Sequence, residues 1–235
     1  RNNLMDVEDR FYNLDQISLG HPKHIPVAEF SVKISKSTKY LLLKTHMTAN
    51  LTPFEPEIVE IVRELVENSK VIYVFRDGRD VLASLYHYMM KFRDDLPSFS
   101  HFIRMKNDFD PYYDFINLIE YWKEHVAGWI GKKSDLDMVT VSYEDLHYDY
   151  DNTIRKLSNF LGLRLKPRGI KKIELKNYGL FRKLLRRLTP KIAKSSAIVP
   201  RKGMVGDWKN YFSQQDLELY DYIAGDLMKR IGYYK

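Results

Sequence analysis

The chain has 235 residues, 44% of them hydrophobic, which is enough to bury one sizeable core. It carries no cysteine, which excludes a disulfide framework and a thiolate metal site, and no apolar run approaches the roughly 20 residues of a membrane-spanning helix. With 38 Lys/Arg against 31 Asp/Glu the net charge is +7, but 15 of the basic residues lie between Arg164 and Lys209 beside only Glu174 and Asp207, so this stretch holds +13 and the remainder −6. Such asymmetry points to an anionic partner near the carboxyl third. No signal peptide is visible at the start, and a cytoplasmic location is expected.

In chain order, Tyr40 to Leu43 reads as a strand that delivers Lys44-Thr45-His46 at its carboxyl end. Lys44 and His46 are two residues apart and share a side if the chain stays extended. A histidine in such a place is either structural or a base; beside a cation it has what transfer to a hydroxyl needs, one group to remove the proton and one to stabilise charge. Pro53 to Glu67 places Ile58, Ile61, Val62 and Leu65 on one helical face. With the strands on either side this makes a βαβ unit, expected to be parallel and right-handed.

The β-branched run Val71 to Phe75 reads as a buried strand, and Asp77 with Asp80 three residues on reads as a capped helix start. Arg76 therefore stands at a strand's carboxyl end, where open α/β sheets bind ligands. Ser84, about two turns beyond Asp77, returns to the face that begins at the cap. Arg93 to Pro111 is polar and reads as a loop or short helix; Tyr112 to Lys132 reads as a long helix, Met138 to Ser142 as a strand and Asn152 to Leu161 as a helix.

The segment RKGMVGDWKN, Arg201 to Asn210, joins adjacent cations to two glycines and a tryptophan. Arg201 and Lys202 supply charge-assisted donors, while Gly203 and Gly206 let backbone N–H groups approach an anion. On composition alone it is equally a basic turn. Ser213 with Asp216 then caps a final helix carrying Leu217, Tyr220, Leu227, Met228 and Ile231. Alternating strands and helices imply a mainly parallel sheet covered on both faces by helices, an α/β fold. Phe11, Tyr12, Phe30, Tyr86, Tyr88, Phe92 and Phe109 fall near segments that surround the expected site, as core or as acceptor lining.

Taken together, LLLKTHMTA, YVFRDGRDVLASLYHY and RKGMVGDWKN resemble the cytosolic-type sulfotransferases, and the RKGxxGDWKN pattern is matched at every fixed position. Tyr121 to Gly131 (YWKEHVAGWIG) and Val141 to Leu146 (VSYEDL) resemble that family's tryptophan helix and its strand-to-helix turn, so the likeness covers about residues 38 to 235. The resemblance implies a nucleotide-kinase-like, P-loop-like fold and sulfuryl transfer from 3'-phosphoadenosine 5'-phosphosulfate (PAPS) to an alcohol, phenol or amine, releasing adenosine 3',5'-bisphosphate (PAP). It implies that His46 is the base and Lys44 a charge stabiliser. Arg76, Ser84, Arg201, Lys202 and Gly203 would hold the 3'-phosphate, with Tyr143 near the adenine. No metal is expected, since these cations supply the charge.

The family's phosphosulfate loop has no counterpart: Lys36-Ser37-Thr38 lacks glycine and runs into a strand, whereas a phosphate cradle opens a helix. Nor is there a GxxxxGK[ST], which argues against nucleotide kinase chemistry. One domain over residues 1–235 is expected, with the first strand, that loop and the first helix upstream of Arg1. The acceptor is a small molecule, glycan or lipid, and nucleic acid is not an expected partner. A non-catalytic 3'-phosphoadenosine nucleotide module, or a basic membrane- or polyanion-binding protein using Arg182 to Lys194, are the competing readings.

Overall fold

The computed structural model describes residues 11–13, 17–18, 25–26, 42–50, 56–106, 117–164 and 203–234. It is an α/β fold with a parallel sheet flanked by helices. The strands are β1 (Phe11–Asn13), β2 (Ile17–Ser18), β3 (Ile25–Pro26), β4 (Leu42–Lys44), β5 (Val71–Phe75) and β6 (Met138–Ser142). The helices are α1 (Pro56–Glu67), α2 (Gly78–Met89), α3 (Phe99–Phe102), α4 (Leu118–Gly131), α5 (Tyr143–Tyr148), α6 (Tyr150–Leu161) and α7 (Gln214–Arg230). β1 pairs parallel with β4, Phe11 opposite Leu42 and Asn13 opposite Lys44; β2 pairs parallel with β3, and β5 pairs with β6.

The chain divides into two compact units, each assembled from separate stretches. The first takes its described residues from 1–71 and 124–138, the second from 72–106, 117–123, 139–164 and 203–234.

Helix boundaries follow their capping chemistry. α1 starts at Pro56, where a fixed φ and a missing N–H cost nothing, and buries Ile58 and Val62. α4 starts later than its apolar pattern suggests because Asn117 caps it, the Oδ1 accepting from Ile119 N at 3.0 Å and Glu120 N at 2.9 Å. α5 follows β6 directly at the expected strand-to-helix turn, where Ser142 and Asp145 form a reciprocal capping box. α6 begins two residues before the expected Asn152 and ends on Gly162 at φ 69°. α7 opens on the expected Ser213–Asp216 capping box and buries Tyr220, Leu227 and Met228. Within 93–111, read as a loop or short helix, the described residues up to 106 contain α3, capped by Ser98.

In the second unit the start of α2 packs against two aromatic rings. A Cβ on Gly78 would lie 2.2 Å from the Tyr220 hydroxyl and 2.4 Å from Trp122, so only glycine fits here. Tyr220 is fully buried, its hydroxyl directed at Met228 Sδ 3.7 Å away. Tyr86, Phe99, Phe102 and Phe212 extend this aromatic packing, with Phe99 and Phe212 centred 5.0 Å apart.

Candidate nucleotide-binding site and base segment

β5 ends at Phe75, and Arg76 and Asp77 turn the chain into α2. Asp77 caps the helix by accepting from Arg79 N at 2.9 Å. The expected capped helix start is thus formed, but Asp80 does not turn back to the cap, because its carboxylate is directed elsewhere. It accepts from Arg76 Nη2 at 2.9 Å, from Gly206 N at 2.7 Å and from Trp208 N at 2.9 Å, with its side chain wholly shielded from solvent. Glu144 takes the place left open, its Oε1 accepting from Asp77 N at 3.3 Å, while Tyr233 donates to the other Glu144 oxygen.

Arg76 is thereby fixed on three sides. Nη2 donates to Asp80 and to the Met204 carbonyl, and the guanidinium carbon lies 4.4 Å from the Tyr143 ring centre. Its Nε is buried without a hydrogen-bond partner among the described residues. The Met204 carbonyl belongs to a loop whose Gly203 and Gly206 have φ of 62° and 82°, the left-handed conformation that glycine adopts without a steric cost. Ser84 is exposed and follows Asp80 by one helical turn, on the same face of α2.

Arg79 clamps the loop from the other end. It pairs with Asp77 through Nε at 3.0 Å and Nη2 at 2.7 Å, and its guanidinium carbon stands 4.0 Å from the Trp208 ring centre and 5.1 Å from that of Tyr234. Burial works against the charged guanidinium, but the Asp77 carboxylate outweighs it and raises the Arg79 pKa. Burial and the Glu144 carboxylate likewise push the Tyr233 hydroxyl up.

The first unit holds the other candidate residues. Lys44 closes β4 and His46 follows it, both exposed. The backbone here is held by α4: His125 Nε2–H donates to the His46 carbonyl at 3.0 Å and Trp129 Nε1–H to the Met47 carbonyl at 2.8 Å. Burial lowers the His125 pKa, favouring the neutral ring. Met47 N donates to Thr45 Oγ1 at 3.1 Å, and a Cβ on Gly128 would lie 3.3 Å from Ala49 Cβ, so helix and segment approach closely.

Of the expected site residues, Arg76, Tyr143 and the loop after Gly203 are brought together, and Ser84 lies on the Asp80 face of α2. Arg201, Lys202 and the basic run Arg182 to Lys194 lie outside the described residues. The sequence reading missed Asp80, Arg79 and Glu144 as supports for the loop, and His125 and Trp129 as supports for the His46 segment. The signal for the last pair was present: they are four residues apart, one face of a helix.

A family model for the sulfotransferase domain matches residues 1–232. The chain belongs to the sulfotransferase family. Sulfotransferase 2A1 of Homo sapiens is 28% identical over 176 residues, covering 68% of this chain and 56% of the relative. The 3-beta-hydroxysteroid sulfotransferase of Cavia porcellus is 30% identical over 174 residues, with coverage of 68% and 56%. The matched stretch thus spans a little over half the length of these relatives. Among solved structures, mouse sulfotransferase SULT7A1 complexed with PAP superposes with a TM-score of 0.60 at 19% identity, covering 94% of this chain and 77% of that one. The architecture is accordingly the sulfotransferase fold.

Proposed function

We propose that this sulfotransferase-family chain binds a 3'-phosphoadenosine nucleotide through its second unit and that the whole protein transfers a sulfuryl group from PAPS to an acceptor hydroxyl or amine. The observation that carries the reading is Arg76. It sits at a strand's carboxyl end with Nη2 already committed and a buried Nε–H that has no partner among the described residues. A buried unsatisfied donor on a cation costs roughly 1–3 kcal/mol or more, and an anionic oxygen removes that cost. The left-handed Gly203 adds a backbone with no Cβ to obstruct a phosphate.

In this reading Arg76, Ser84, Arg201, Lys202 and the Gly203 backbone hold the 3'-phosphate, and Tyr143 lies beside the adenine. Bound PAPS supplies the sulfuryl group. His46 would accept the proton of the acceptor hydroxyl as that oxygen bonds to sulfur and the bond from sulfur to the bridging phosphate oxygen breaks, releasing PAP, and Lys44 would stabilise charge on the oxygens around the reacting centre. Such transfer proceeds in line through a loose transition state, so positioning and charge supply most of the catalysis. The acceptor is a small molecule, a glycan or a lipid. The guinea-pig relative is named for hydroxysteroids, which places aliphatic hydroxyls first among acceptors to try.

Calorimetry with PAP and with adenosine 5'-monophosphate tests the binding half, and mass spectrometry for an added sulfuryl group on acceptors incubated with PAPS tests the transfer half. A preference for PAP that disappears in Arg76→Ala is the expected result. Equal affinity for the two nucleotides sinks the reading.

A further inference from the structure

We infer that Asp80, which has no place among the residues expected to touch the nucleotide, is the positioning residue that presets the site for a 3'-phosphate. The inference rests on the proposed nucleotide binding. Its basis is a convergence: one fully shielded carboxylate accepts from three donors that come from separate parts of the chain, Arg76 Nη2 at 2.9 Å, Gly206 N at 2.7 Å and Trp208 N at 2.9 Å. An acid three residues after a helix N-cap ordinarily turns back to the cap's own N–H. Here Glu144 serves that N–H, at 3.3 Å, and Asp80 is left for the loop.

Two consequences follow for the ligand side. Both hydrogens of Arg76 Nη2 have acceptors, Asp80 and the Met204 carbonyl, so the guanidinium cannot rotate without breaking two bonds, and its buried Nε–H has no hydrogen-bond partner among the described residues. The amides of Gly206 and Trp208 are anchored from beneath, which holds the loop beginning at the left-handed Gly203 in shape before any nucleotide arrives. A site ordered in advance binds more tightly because less freedom is lost on binding. Ser84, one turn along from Asp80, shares the same helix face. Asparagine cannot reproduce this: its oxygen can serve one amide, but its NH₂ then meets a second donor.

Asp80→Asn is therefore expected to weaken PAP binding by about tenfold or more while changing adenosine 5'-monophosphate binding by less than about threefold, with far-UV circular dichroism unchanged. Asp80→Glu, which keeps the charge, should restore part of the preference, and it takes the first variant's place if Asp80→Asn does not fold. Hydrogen exchange on the unliganded wild-type protein supplies an independent reading: the Gly206 and Trp208 amides should be protected. Rapid exchange at both amides, an unchanged PAP affinity in Asp80→Asn, or equal losses for both nucleotides each overturn the inference. A wild-type protein that shows no preference for PAP overturns the proposed function instead, and the exchange result then still decides whether Asp80 holds the loop.

Discussion

The guanidinium of Arg79 stacks on the indole of Trp208, 4.0 Å from the ring centre, and the same guanidinium is paired on its edge with Asp77. A cation held over a tryptophan face contributes about 0.5–2 kcal/mol. The contact joins the first turn of α2 to the Asp207–Asn210 turn that follows Gly206. A double-mutant cycle of Arg79→Met and Trp208→Leu, read by urea unfolding, should give a coupling in that range. Coupling indistinguishable from zero would show that the stack contributes nothing to holding the loop.

Gly78 is held tightly between two aromatic rings in the second unit. Its missing Cβ would meet the Tyr220 hydroxyl at 2.2 Å and Trp122 at 2.4 Å, and both side chains are buried. Gly78→Ala should therefore destabilise the fold by about 1–3 kcal/mol or more, although alanine is the better helix former. Thermal unfolding decides: a melting temperature equal to or above the wild type would mean that the rings move aside freely.

The strands β5 and β6 and the start of α7 were legible because each is written in local chemistry, two β-branched apolar runs and a Ser–Asp capping box. α5 was less so, since its signal is the box at Ser142 and Asp145 within the expected turn. The use of Asp80 could not be read at all. Its spacing from Asp77 is that of a capping residue, and only the fold brings Gly206 and Trp208, more than a hundred residues later, within reach of its oxygens. For His125 the four-residue spacing from Trp129 showed a shared helix face, but not what that face meets, because its partner is a backbone carbonyl.

Asp216 gives the fold an acid-sensitive point. Burial alone would raise its pKa, but Ser100, Arg104 and Ser213 donate to the carboxylate and hold it down to about 2. A pKa lower in the folded state than in the unfolded chain means that the stabilisation is complete above about pH 4, the ordinary aspartate range, and is lost as pH falls towards 2. The shift corresponds to about 2 kcal/mol. Urea midpoints for wild type and Asp216→Asn should therefore differ most above pH 4 and converge near pH 2, and a constant difference across that range would remove Asp216 as the titrating group.

His46 and His125 allow catalysis and support to be separated. If His46 is the base, His46→Ala should leave folding and PAP binding nearly intact while lowering turnover by about 10² to 10⁴, the usual worth of a positioned base. His125 acts through the backbone, since its Nε2–H holds the His46 carbonyl at 3.0 Å. His125→Leu removes that donor and should lower the melting temperature and turnover together. The pH dependence differs too. Burial lowers the His125 pKa, so its contribution to stability is complete above the ordinary histidine value of about 6.5 and is lost as pH falls through the lower folded value. His125→Gln keeps an N–H donor without titrating there, and should flatten the acid limb of stability. The acceptor must be an aliphatic alcohol, because a phenol of low pKa needs less help in losing its proton. Unchanged turnover of His46→Ala on such an alcohol excludes it as the base, and a parallel fall in melting temperature assigns it a structural role instead.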